Sequence, residues 1–247
     1  MANTFKIPTE TVLLPSKGLL YPEDSPLSKG EIEMKYMTAK EEDILTNSNY
    51  IQSGIVIDKL LESLIVTEGV VYDDLLVGDK NAVLVAARIL SYGKDYKVNY
   101  RGQEHNVDLS ELDHKQIDFD IFKDRINNFS FSLPTTKAEV TFKLLTHGDE
   151  KEIDKEIEGL KKINKDSGAE VTTRLKKIIT SVNGSTESKD IREFVDTYLL
   201  AKDARELRNH LASVMPDVEL LFYPNGKQEG GVSVPIGLDF FWPDTGI

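Results

Sequence analysis

Two groups of residues in this sequence could carry chemistry. The first is His105, Asp108, Asp113, His114, Asp118 and Asp120, two imidazoles and four carboxylates within 16 positions. Imidazole nitrogens and carboxylate oxygens together can hold a divalent ion. An ion held that way could activate water for hydrolysis. The same stretch also reads as a solvated surface. Leu109, Leu112 and Ile117 are its spaced apolar positions, and the acids fall between them. The second group is Asp24 with Glu33-Met34-Lys35, two carboxylates and an ammonium in a nuclease-like order. Glu-x-Lys arises often by chance in a chain with 29% charged residues. Ile32, Met34 and Tyr36 alternate there with Glu31, Glu33 and Lys35, which is the period of a half-buried strand.

Other chemistries lack their residues. Neither glycine-rich phosphate loop is present, nor a Gly-x-Ser-x-Gly elbow, nor a His-Glu-x-x-His pair. The chain has no cysteine, which excludes disulfides, thiolate nucleophiles, Cys-ligated zinc and iron–sulfur clusters. It carries 30 Lys and Arg against 42 Asp and Glu, a net charge of −12. Such a surface as a whole repels nucleic-acid phosphates and anionic membranes. The densest apolar stretch, 55–66, is broken by Asp58, Lys59 and Glu62, short of the about 20 apolar residues of a membrane span. Residues 1–8 contain no apolar core of a secretory signal, so none is expected.

The elements that must position these residues follow from pattern. Pro8, Pro15, Pro22 and Pro26 exclude a long helix before residue 36. Residues 11–22 read as extended chain with a turn at Ser16-Lys17-Gly18, followed by the strand at 31–36. Thr38-Ala39-Lys40-Glu41 is a capping box that opens a helix. Ile51, Ile55, Leu60, Leu61, Leu64 and Ile65 predict a second helix over 51–66. Asp79 is expected to cap a third over 81–90, ended by Tyr92-Gly93. Residues 96–100 and 105–109 form a short hairpin around Arg101-Gly102-Gln103-Glu104. Residues 128–133 and 138–145 form another around Pro134. Two helices are predicted over 148–182, broken at Asp166-Ser167-Gly168. The first carries Ile153, Ile157, Leu160 and Ile163; the second carries Val171, Leu175, Ile178 and Val182. Residues 189–215 give a further helix or pair stopped by Pro216, and extended chain returns after that. The expected fold is α+β in four segments: a strand-and-helix module (1–95), a hairpin region (96–146), a helical segment (147–216) and a closing hairpin (217–247).

Phe240-Phe241-Trp242-Pro243 gathers three aromatics, each able to bury about 150–250 Å². Successive strand residues face opposite ways. Continuing the alternation of Val232, Val234, Ile236 and Leu238 sends Phe240 and Trp242 inward and Phe241 outward. Phe241 is therefore the candidate partner contact.

Several stretches in order carry a likeness to a known family. They are Leu14-Pro-Ser-Lys-Gly-Leu-Leu-Tyr-Pro22, Met37-Thr-Ala-Lys-Glu-Glu-Asp-Ile-Leu-Thr-Asn47, Asp74-Leu-Leu-Val-Gly-Asp79, and Arg88 with Ser91-Tyr-Gly93 and Tyr96. Together they resemble the baseplate hub assembly proteins of T-even-type tailed bacteriophages, closely as far as Tyr96 and loosely beyond. The Phe-Phe-Trp-Pro ending is similar too. The resemblance implies a non-enzymatic protein of contractile-tail morphogenesis. It would act in the cytoplasm of the infected host as a chaperone-like factor that assembles the central hub. A permanent hub subunit in the virion's tail baseplate is the alternative. A metal-dependent hydrolase using the cluster from His105 to Asp120 is a distant third. The implied partners are other hub or tail proteins, with no nucleic acid and no membrane. Some relatives are expected to carry Cys pairs in hairpin turns, as in a zinc ribbon. The turns at 100–103 and 223–226 here hold none, so no metal, other cofactor or catalytic residue is carried over.

Overall fold

The computed structural model describes residues 6–163, 168–226 and 230–241. Strand β1 (Thr9–Leu13) pairs antiparallel with β2 (Glu31–Lys35), Val12 opposite Ile32. Ile32 and Met34 point into the core and the glutamates out, as the alternation predicts. The connection turns sharply at Lys17 and Gly18, both with positive φ. A Cβ on Gly18 would come within 2.4 Å of the Ser28 carbonyl oxygen, so a side chain has no room there.

Helix α1 (Ala39–Leu45) opens at the predicted capping box. The Glu41 carboxylate accepts from the Thr38 amide at 3.0 Å, the Thr38 hydroxyl at 2.6 Å and the Lys35 ammonium at 2.8 Å. The single helix expected over 51–66 is two, α2 (Ser48–Gln52) and α3 (Val56–Leu64). Asn47 caps α2 by accepting from the Asn49 and Tyr50 amides, and Gly54 at φ 71° ends it. These local signals outweigh the continuous apolar period. Helix α3 buries Val56, Leu60, Leu61 and Leu64, and each such side chain contributes about 1.5–3 kcal/mol.

Helix α4 (Val77–Tyr92) begins earlier than expected, so Asp79 lies inside its first turn and is not its cap. It ends where predicted, with the Gly93 amide bonded to the Ile89 carbonyl. Strands β3 (Asp95–Tyr100) and β4 (Gln103–Asp108) form the predicted hairpin. Arg101 and Gly102 both have positive φ, the two-residue turn that matches strand twist.

The second hairpin, β5 (Phe129–Ser132) and β6 (Glu139–Phe142), gains a third strand. Helix α5 (His147–Ile163) and helix α6 (Glu170–Ile178) are followed by β7 (Ile179–Val182), which pairs with β6. The helix expected to run to Val182 thus stops at Ile178. The outer edge of β6 offers partners, and β-branched Ile179, Thr180 and Val182 suit a pleated surface. The break expected at 166–168 falls mostly outside the described residues. Only the inner part of α5 is covered: Ile153 is buried, while Ile163 is 87% exposed. Helix α7 (Ser188–Glu193) runs through a π turn (Phe194–Tyr198) toward α8 (Ala201–Val214), and Pro216 follows. Strands β8 (Leu221–Phe222) and β9 (Val232–Ser233) pair briefly, and Leu238–Phe241 is a 3₁₀ turn.

Two apolar cores result. The first joins Leu14, Ile32, Leu60, Val83 and Val98 to Phe222, Val234, Phe240 and Phe241. The second is drawn from between Leu133 and Leu207 and centres on Val140, Phe142 and Leu175. The two hairpins of segment 96–146 therefore pack into different cores.

Candidate functional site

The stretch from His105 to Asp120 does not converge. Asp108 accepts from the Lys94 ammonium at 2.7 Å and from the amide and hydroxyl of Ser110. Those bonds hold its carboxyl down at about 2. Asp118 accepts from the Asp120 amide and starts a 3₁₀ turn. Asp120 faces Lys123. His114 lies in an isolated bridge to Val218. The His105 ring packs on Phe222 at 5.7 Å. Among the described residues no three His, Asp or Glu side chains are grouped to hold an ion. The hydrolase reading needs that convergence. Glu33 and Lys35 serve the β2 strand, and Lys35 is drawn to Glu41.

What the sequence does bring together is a buried polar node. Asp79 accepts from the Ser16 amide at 2.9 Å, the Ser16 hydroxyl at 2.6 Å and the Tyr21 hydroxyl at 2.6 Å. The Leu76 amide donates to the Tyr21 oxygen at 2.8 Å. Burial pushes the Asp79 carboxyl up, against the hydrogen bonds that pull it down. Burial also raises the Tyr21 phenol, with the Asp79 charge adding to it. Beside it, Gly78 has a backbone neighbour: a Cβ would fall 1.9 Å from the Pro216 carbonyl oxygen. The Leu14–Pro22 and Asp74–Asp79 stretches thus meet at one node. A buried Asp in a capping context gave no signal that its partners lay near Ser16.

A second charged joint ties the cores together, and no motif foretold it. The His147 amide donates to the Leu75 carbonyl and the Val77 amide to the Leu145 carbonyl. The His147 ring is buried, with Nε2 3.2 Å from an Asp58 oxygen and Nδ1 3.1 Å from the Lys80 ammonium. Tyr72 packs edge-on against that ring at 4.7 Å and donates to Asp58. Burial would raise Asp58, but His147, Lys80 and Tyr72 outweigh it and lower its pKa. Both ring nitrogens face charged neighbours, so the cluster acts as a packed joint between α3, α4 and α5.

The aromatic ending differs from expectation. Phe241 is fully buried, as is Phe240. The chain leaves the extended form for the 3₁₀ turn at Leu238–Phe241, so neighbouring rings no longer face opposite ways. Phe240 packs edge-on against Tyr96 at 4.9 Å and against Phe241 at 5.4 Å. The expected contact surface at Phe241 is therefore replaced by core, and Trp242 lies outside the described residues.

The two cysteine-free turns come together through aromatic rings. Tyr100 meets Phe222 edge-on at 6.2 Å, and His105 meets the same ring. No helix among the described residues is long and apolar enough to cross a membrane.

A family model described as T4 bacteriophage base plate protein matches residues 13–223. The chain belongs to that family. No curated protein and no solved structure matches it.

Proposed function

We propose that this chain is a non-enzymatic morphogenesis protein that helps assemble the central hub of the baseplate as a chaperone-like factor. The observation that carries the reading is membership of the baseplate family over nearly the whole chain. The use of its buried polar residues supports it. Asp79, Ser16 and Tyr21 bind one another, and His147 and Asp58 sit in a packed joint, so these groups serve architecture. The site of action is the infected host's cytoplasm, and the partners are other hub or tail proteins. The test is quantitative mass spectrometry of purified virions beside affinity capture from infected cells. Capture of hub proteins with absence from virions supports the assembly factor. A fixed copy number in virions would make the chain a permanent subunit instead.

A further inference from the structure

A groove of about 650 Å³ runs between β4 and the segment around β8. Val107, Leu112 and Phe222 give it an apolar lining, and exposed Glu111, Asp113 and Glu219 stand on its rim. Among the described lining residues there is no Lys or Arg. Strand β4 bonds β3 on one side, and its other edge carries no strand among the described residues.

We propose that this groove docks an extended, basic segment of a partner baseplate protein, with Lys or Arg alternating with apolar residues. In extended chain alternate side chains point oppositely. One set would reach Leu112 and Phe222, and the other would meet the rim carboxylates. The open edge of β4 offers main-chain hydrogen bonds to such a strand. Charge selects the occupant. A second copy of this chain, at −12, brings net negative charge to the rim. The inference rests on the reading that the chain works by binding other baseplate proteins.

The test measures fluorescence anisotropy of a short labelled peptide of alternating Lys and Val against the full-length protein. Peptides of alternating Glu and Val, and of Lys and Ser, serve as comparisons. Binding by the Lys–Val peptide is expected, weakened about tenfold or more by Glu111→Lys with Glu219→Lys. Reversal of exposed charges on α5, Asp154→Lys with Glu158→Lys, is expected to leave binding within about twofold. Matched melting temperatures will show that each variant is folded. No binding, equal binding of the Glu–Val or Lys–Ser peptide, or equal loss from the α5 reversal would each overturn the proposal. The assay uses purified protein, so it is decided apart from virion retention. Failure to capture hub proteins from cells would sink the functional reading without changing the peptide result.

Discussion

The Ser16 hydroxyl donates to the Asp79 carboxylate at 2.6 Å across 63 positions of chain, with both side chains shut off from solvent. This contact fixes the β1–β2 connection on the first turn of α4. Replacing Asp79 by Ala leaves the Ser16 amide and the Ser16 and Tyr21 hydroxyls short of an acceptor. A loss of about 3 kcal/mol is expected, read by urea unfolding. Burial raises the folded pKa of this group, so its contribution to stability falls as pH rises from 3.8 toward the raised value. Asp79→Asn should remove that slope.

Gly78 sets helix propensity against close approach. Alanine is a better helix former by about 1 kcal/mol. Its methyl would lie 1.9 Å from the Pro216 carbonyl oxygen. Gly78→Ala should destabilise by about 1–3 kcal/mol, and a melting temperature equal to or above the parent's would refute the clash.

Glu41 gives the opposite pH dependence from Asp79. Burial pushes its carboxyl up, but bonds from Lys35 and Thr38 win and hold it at about 2, below the usual 4.5. Its stabilisation is complete above the unfolded value and is lost as pH falls from about 4.5 toward 2. Glu41→Gln should lower stability at pH 7 and flatten that part of the acid limb in a pH-denaturation series.

Phe240→Ala and Phe241→Ala should each cost about 3–5 kcal/mol, since both rings are closed in the first core. A Phe241 variant that unfolds at the parent's temperature would return that ring to the surface.

The turns at 100–103 and 223–226 are joined by Tyr100, His105 and Phe222. A chelator should leave the melting temperature unchanged, whereas Phe222→Ala should lower it. Calorimetry with and without the chelator checks both.

Features governed by neighbours in sequence were legible. The Thr38–Glu41 box, the Gly93 stop and the Arg101-Gly102 turn need only local backbone sterics and hydrogen bonds. Two of the misses, the strand at Ile179–Val182 and the role of Asp79, depended on distant chain. The strand at Ile179–Val182 exists because β6 had an open edge, and the apolar spacing alone fits a helix as well. Asp79 resembles a cap in sequence, and only its meeting with Ser16 gives it another task. The strand alternation behind Phe241 fails because the chain coils at Leu238–Phe241. The cluster from His105 to Asp120 was counted by composition, whereas Asp108, Asp118 and Asp120 are spent on neighbouring turns and lysines.

Phe240 and Phe241 belong to the core that begins at Leu14, while the buried residues of the second core end at Leu207, with Leu211 and Val214 packed against them. On a ribosome, the parts therefore close in an order unlike their order along the polypeptide. The middle has all its apolar partners while Phe222, Val234, Phe240 and Phe241 of the first core are still to be synthesised. The earliest residues to leave the tunnel must wait for the latest. A message cut short after the codon for Pro216 would yield a closed central unit tethered to an N-terminal part missing Phe222, Val234, Phe240 and Phe241. Such a fragment would uncover Tyr96 and Tyr100, the rings that Phe240 and Phe222 pack against, to the protein quality-control machinery of the cell.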